Sequence, residues 1–280
     1  MSPSLLGAVF GLAAAASWGA GDFSGGVAAR RSQVYTVVLV SELVGLLLLA
    51  GLALLLAEPI PPPVDFLWAG AAGIAGTLGL LALYRGLARG RMGVVAPIAA
   101  VVSAAVPLIF GSFLEGVPAA PQLLGFGLAL VAVWLLSRTG ERARIQGYEL
   151  GLPLLAGLGF GLFLVGIDHV SDTAILWPLA AARTASIALL LAVLTLARQR
   201  EKPALTHLPL MVLAGLCDTA GNAFYALAAQ VGRLDVAAVL SSLYPVATVL
   251  LARFVLQERL TRRQGIGVLA ALLAVVLIAS

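Results

Sequence analysis

From Val34 to Ala57 the chain reads VYTVVLVSELVGLLLLAGLALLLA, with Glu42 as its one charged side chain. A run of this length, rising 1.5 Å per residue as a helix, crosses a hydrocarbon core of about 30 Å. Inside lipid every backbone N–H and C=O must be satisfied within its own segment or a closed barrel, so long, closely spaced apolar runs must be helices. Breaking the chain at charges, proline clusters and loop signals gives ten such runs, near 5–28, 34–57, 66–84, 92–114, 120–137, 148–167, 174–197, 208–230, 234–256 and 264–279. The composition agrees. Of 280 residues, 61% are hydrophobic and 11% charged, with a mean hydropathy of +1.06, whereas a soluble domain averages about a quarter charged. The fold class expected is therefore an all-α integral membrane protein of ten transmembrane helices. The opening MSPSLLGAVF has no basic segment before its apolar residues, so no cleaved signal peptide is expected. Cys217 is a lone cysteine, which excludes an internal disulfide.

The two halves of the chain are related. A shift of about 142 residues brings SWG (17–19) onto GFG (159–161), SEL (41–43) onto RTA (183–185), and Gly90-Arg91 onto Gly232-Arg233. After a slip of one residue Glu115 meets Glu258, and QLLG (122–125) meets QGIG (264–267). The order and near-constant offset point to two five-helix repeats, 1–142 and 143–280. An odd number of spans per repeat makes the second enter from the opposite side, so the repeats are inverted, as in many transporters.

The net charge of +4 reads as topology rather than as affinity for nucleic acid. Loops after spans 1, 3, 5, 7 and 9 carry fourteen Arg or Lys; those after spans 2, 4, 6 and 8 carry one, Arg233. The positive-inside rule places the odd loops in the cytoplasm and both termini outside.

Four ionisable groups fall near mid-depth. Asp22 precedes Arg30 by eight residues, roughly 12 Å along a helix. Glu42 follows Arg31 by eleven, Arg183 follows Asp172 by eleven and Asp218 follows His207 by eleven, roughly 16 Å each. A charge there costs about 2.5–3.5 kcal/mol on insertion scales, so it should face a cavity or a partner. Glu42 and Arg183 hold nearly equivalent places in the two halves and form a candidate charge pair, or each bonds backbone carbonyls. Asp218 and Asn222 share a helix face at i, i+4, as an interhelical hydrogen bond or a cavity wall. Asp22, one turn from Trp18, either caps or breaks a glycine-rich helix or lines the same cavity. Asp168 and His169 read as interfacial or gating groups, and Trp68 and Trp134 as packing or belt aromatics. Gly7/Gly11, Gly86/Gly90, Gly147/Gly151 and Gly157/Gly161 have the spacing that lets helices approach closely. Pro97 and Pro107 in span 4 and Pro245 in span 9 each remove a helix hydrogen bond and are candidate gating kinks, or static ones.

The segment LYPVATVLLARFVLQERLTRRQGIGVLAALLAVVLI (243–278) resembles the closing helices of EamA-like members of the drug/metabolite transporter superfamily, through Pro245, Glu258, Gln264 and Gly267. Glu115, Gln122 and Gly125 repeat the pattern more loosely in the first half, and SWGAGDF (17–23) is similar to the Trp-Gly of the family's first helix. Span 4 departs, with Pro97 and Pro107 where the family has its own proline. Many members resemble an arrangement with both termini inside, opposite to the charge bias here. The resemblance implies a central cavity lined by spans 1, 3, 4, 6, 8 and 9, with Trp18, Asp22, Tyr84, Asp218, Asn222 and Tyr244 as substrate-binding candidates. Aromatics would hold an apolar part of the ligand, and Asp and Asn a polar end. It implies a secondary transporter, an exporter of small organic metabolites such as amino acids, working by alternating access in a bacterial or archaeal plasma membrane.

Proton coupling and facilitated diffusion both fit a midplane carboxylate. The single Lys202 has no Gly-rich loop before it, which excludes ATP drive within this chain. An intramembrane enzyme needs a nucleophile and base or metal ligands, and with two His, one Cys and no G-x-S-x-G or H-E-x-x-H it is the least favoured reading. A lipid or lipid-carrier flippase of the same fold is the alternative; a wide, laterally open apolar groove would favour it. The partners expected are a small-molecule substrate, the lipid bilayer and protons, with no nucleic acid, cofactor or metal. One chain of ten spans is sufficient to enclose a site.

Overall fold

The computed structural model describes residues 3–115, 120–137, 147–170, 173–196, 205–231, 240–241 and 243–278. Their long helices are α1 (Pro3–Ala29), α2 (Val34–Leu55), α3 (Pro63–Arg89), α4 (Met92–Glu115), α5 (Ala120–Ser137), α6 (Gly147–Asp168), α7 (Leu176–Leu196), α8 (Leu208–Val231), α9 (Tyr244–Val255) and α10 (Arg262–Ile278), with a short 3₁₀ turn at Leu205–His207. Five of them, α1, α2, α3, α6 and α7, are long and apolar enough by length and composition to cross a membrane within the described residues. The start of the ninth expected span, from residue 234, and the basic linker 138–146 lie outside the described residues.

Two expectations are corrected here. The third span, expected over 66–84, runs on to Arg89. Arg85 and Arg89 are therefore helical rather than loop residues, because a long arginine stem packs along apolar surface while its head reaches the end of the bundle. Pro245 is not an interior kink. The helix restarts at Tyr244 and Pro245 sits in its first turn, where the missing N–H has no intrahelical partner to lose. Pro97 and Pro107 do lie inside α4, and Pro153 inside α6.

The surface facing away from the bundle is apolar. Leu47 is 74% exposed, Leu130 73% and Phe254 71%, while the interior holds mostly small and aliphatic residues, with Phe23 and Tyr84, on α1 to α4 and α6 to α9 in one cluster and on α4, α5 and α10 in another. This distribution suits hydrocarbon outside the bundle rather than water.

Helices pack in pairs that exchange when each is replaced by the one five places along. α1 lies on α8 as α6 lies on α3; α3 lies on α7 as α8 lies on α2; α4 lies on α6 as α9 lies on α1; α2 with α7, and α5 with α10, map onto themselves. The relation holds residue by residue. Gly79 of α3 is pressed against Phe160 of α6, and Gly221 of α8 against Trp18 of α1; each member of one contact lies 142 positions from its counterpart. Gly73 of α3 meets the backbone of Ala182 in α7, and Gly215, again 142 positions on, meets the backbone of Ser41 in α2. The Ser186 hydroxyl donates to Gly73 O at 3.1 Å and Ser41 to Met211 O at 3.1 Å, tying together helices that glycine lets approach. Gly157 and Gly161 face Val102 and Val106 of α4.

The helix ends are tied by glutamates. Ala57 (φ 49°) and Gln257 (φ 55°) are the described non-glycine residues in the left-handed region. Each turns the chain out of a finished helix and delivers the next residue to the start of another. Glu58 accepts from the amides of Ile175, Leu176 and Trp177 at 2.9–3.0 Å, and its carbonyl accepts from Trp177 Nε1 at 3.0 Å. Glu258 accepts from the amides of Met92 and Gly93 at 3.2 Å and from Arg30 at 3.2 Å. A carboxylate on a helix's first free N–H groups satisfies those donors and opposes the helix dipole.

Candidate substrate cavity

Arg183 of α7 is the hub of the interior. Its Nη1 donates to Glu42 Oε1 of α2 at 2.9 Å, and its Nη2 donates to Asp218 Oδ2 of α8. The guanidinium side chain is 15% exposed, that of Glu42 3% and that of Asp218 33%. Gly45 makes room for this arrangement: a methyl there would stand 3.3 Å from Arg183 Nε and 2.9 Å from Thr219 Oγ1. Glu42 Oε2 and Thr219 Oγ1 are buried without a hydrogen-bond partner among the described residues.

The triad opens on a cavity of about 100 Å³. Its polar walls are Asp22, Glu42, Thr77, Arg183, Ser186, Asp218 and Asn222; Leu80, Phe160, Phe163 and Leu179 supply apolar surface, and Gly73, Gly76 and Ala182 bring backbones close. Asp22 lines it without a hydrogen-bond or ion-pair partner among the described residues. Three carboxylates thus face one guanidinium. No cluster of His, Cys, Asp and Glu suited to a metal occurs among the described residues.

The expected site residues separate into groups. Asp22, Asp218 and Asn222 share the cavity with Glu42 and Arg183. Trp18 stands beside it: its Nε1 donates to Asn222 Oδ1 at 3.3 Å, and its ring packs against Tyr225 and Tyr244 at 5.9 and 6.4 Å between centroids. Tyr244 is therefore a neighbour of Trp18 rather than a wall of this cavity. Tyr84, 1% exposed, belongs to the core, with its ring against Gly25. The walls come from α1, α2, α3, α6, α7 and α8, so α2 and α7 stand where spans 4 and 9 were expected. The reason is Arg183, whose long side chain draws α7 and α2 into the site. Pro97 and Pro107 of α4 lie off these walls.

Sequence reasoning missed Asp218 as the second acceptor of Arg183. Depth arithmetic put the three groups at one level, and no spacing in one dimension says which helices are neighbours. It also missed Phe160 and Phe163, which look like ordinary apolar residues in the chain. His169 stacks on Trp68 at 4.5 Å, with its Nδ1 2.8 Å from Val165 O, at the end of α6; the side chain of Asp168 lies outside the described residues. The motif residues Glu258 and Gln264 are far from the cavity in role. Gln264, fully buried, accepts from Arg91 and from the Thr261 amide and hydroxyl, all at 3.1–3.2 Å. With the Glu258 cap, it locks α4, α9 and α10 together.

The model of the EamA-like transporter family matches residues 5–138 and 148–280, one match for each half of the chain. No curated protein matches the chain. A solved structure, described as the crystal structure of a protein, is similar over 99% of each chain with a TM-score of 0.64 and 17% identity; at that identity the likeness is one of fold.

Proposed function

We propose that this chain, a multi-pass membrane transporter that belongs to the EamA-like family of the drug/metabolite transporter superfamily, carries a small organic cation through its central cavity by alternating access. The observation that carries the reading is the charge imbalance on the cavity wall: Asp22, Glu42 and Asp218 face Arg183 alone. A carboxylate with no partner in a low-dielectric interior is costly. An ammonium group seated against Asp22 and the outward side of Asp218 removes that cost, while Phe160 and Phe163 cover the apolar part of the ligand and Asn222 orients a polar end.

Proton coupling follows from the same imbalance. In this reading Asp22, which has no partner among the described residues, takes a proton and the substrate cation in turn. Arg183 holds Glu42 and Asp218 in position, leaving Asp22 as the group free to exchange. The cavity is small, about 100 Å³, so the helices around it must move apart to admit a metabolite. The exchange of helix pairs between halves, combined with five helices per half, supports inverted repeats meeting near residues 138–148, whose rocking opens the site to one side and then the other.

The test is uptake in proteoliposomes. Radiolabelled primary amines and cationic amino acids should accumulate when driven by an outward-directed proton gradient, while carboxylate metabolites of equal size should not. Equal transport of cations and anions, or cation uptake indifferent to a pH gradient and to its collapse, would remove the charge-based assignment and the proton step respectively.

A further inference from the structure

We propose that a second site, a recess between the ends of α1 and α3 and the start of α2, binds a phosphate-bearing anion. The recess has a volume of about 420 Å³ and is lined by Arg30, Arg85, Arg89, Ser32, Gln33 and Tyr35, with no acidic residue on its wall. It lies at the arginine-rich end of α1, eight residues beyond Asp22, and is separate from the central cavity.

Three guanidinium groups converge there. Arg30 is partly compensated, with Nη2 3.2 Å from Glu258 Oε1 and 3.4 Å from Leu87 O. Arg85 lays its guanidinium over the Tyr35 ring, 4.6 Å from the centroid. This cation–π contact uses no acceptor lone pair, and Arg85 has no hydrogen-bond or ion-pair partner among the described residues. Arg89 is exposed and has no ion-pair partner among the described residues. Neutralising the carbonyl ends of α1 and α3 accounts for Arg30, which bonds such a carbonyl, but not for Arg85 and Arg89, which have no such bond.

Two further observations point to a ligand. Ser32 and Gln33 are half-buried and line the recess, and the Ser32 hydroxyl and the Gln33 amide oxygen have no hydrogen-bond partner among the described residues. Gln33 is also the N-cap of α2 and makes no side-chain capping bond, so its side chain does not claim the first amide N–H groups of α2. An anion there would meet forked guanidinium donors, a hydroxyl and a helix N-terminus together, the combination that holds phosphate. The Gln33 oxygen is an acceptor and suits a hydroxyl beside the phosphate, as in a glycerol headgroup. The volume falls within the roughly 300–1,000 Å³ of ligand pockets, so it accommodates more than a bare ion. Anionic lipid headgroups and free phosphate share this chemistry.

The experiment uses the full chain in two arms. In the first, protein reconstituted with mixed phosphatidylglycerol and phosphatidylcholine is examined by native mass spectrometry for retained lipid. In the second, inorganic phosphate is titrated into detergent-solubilised protein, with chloride as control, and followed by thermal stability. Selective retention of phosphatidylglycerol assigns the site to lipid, and a saturable phosphate shift assigns it to the free ion. In either arm Arg85→Gln/Arg89→Gln should weaken binding about tenfold or more, with Arg89→Lys intermediate. Should the double variant fail to fold, Arg89→Gln alone, at an exposed side chain, carries the comparison. Binding of neither probe, or binding unchanged in the variants, would overturn the site without touching the transport reading.

Discussion

Arg183 Nη1 stands 2.9 Å from Glu42 Oε1 across 141 residues of chain, and the other arm of the same guanidinium holds Asp218. One side chain thus ties α7 to both α2 and α8. Removing one partner of a buried pair leaves the other charge unmatched, at a cost of about 3–5 kcal/mol. Arg183→Gln should reach that range, because it strands two carboxylates. Glu42→Gln should cost less, since an amide oxygen still accepts from the guanidinium. The double variant should lose less than the sum. Thermal unfolding in detergent measures all three, and strict additivity would mean that the two groups are not coupled.

Asp22 and Asp218 should respond differently to the same change. Asp22→Asn removes the exchangeable proton but breaks no hydrogen bond or ion pair among the described residues, so the protein should unfold near the wild-type temperature while accumulation of the cation is lost. Asp218→Asn weakens an existing charge-assisted bond, so stability should fall as well as transport. Wild-type accumulation by Asp22→Asn would take the exchange role away from that residue.

The Glu58 cap gives a prediction independent of transport. Glu58→Ala frees the amides of Ile175, Leu176 and Trp177 and should destabilise by about 1–2 kcal/mol. Ala57→Gly should act in the opposite direction, stabilising by up to about 1 kcal/mol, because alanine is held at a φ of 49° that glycine adopts freely. A melting temperature unchanged in both variants would show that this corner is not part of the cooperative fold.

Gly73→Ala and Gly215→Ala should be equally damaging. A methyl at Gly73 would stand 2.7 Å from Ala182 Cα, and one at Gly215 2.5 Å from Ser41 O; neither backbone can yield without moving a helix. Gly51→Ala is the control, since its methyl would have nothing within 4 Å and alanine favours the helix by about 1 kcal/mol. Equal melting temperatures for Gly73→Ala and Gly51→Ala would mean the α3–α7 contact is looser than described.

Both termini are expected to face away from the cytoplasm, on the bias of fourteen basic residues to one. A green fluorescent protein fused to the C-terminus should stay dark while a periplasmic phosphatase fusion is active. The reverse pattern would turn the whole bundle over, and with it the side on which the recess of Arg85 and Arg89 lies.

The apolar runs were enough to place most of the helices, though not every end, since α3 runs on to Arg89. Helix formation in an apolar chain is a local matter, set by backbone hydrogen bonding and by where charges and prolines stop it. Ala120–Ser137 and Leu208–Val231 accordingly fall within a residue of their expected bounds. Depth was legible too, because rise per residue is constant; Glu42, Arg183 and Asp218 could be put at one level before any fold was known. What lies beside what was not legible. Nothing in one dimension told that Arg183 would reach two carboxylates, that Tyr84 would fill the space left by Gly25, or that Glu58 and Glu258 would close the ends of other helices. Those relations depend on which helices touch and at what rotation. That choice is made by glycines such as Gly73 and Gly215 at helix crossings, through contacts between residues more than a hundred positions apart.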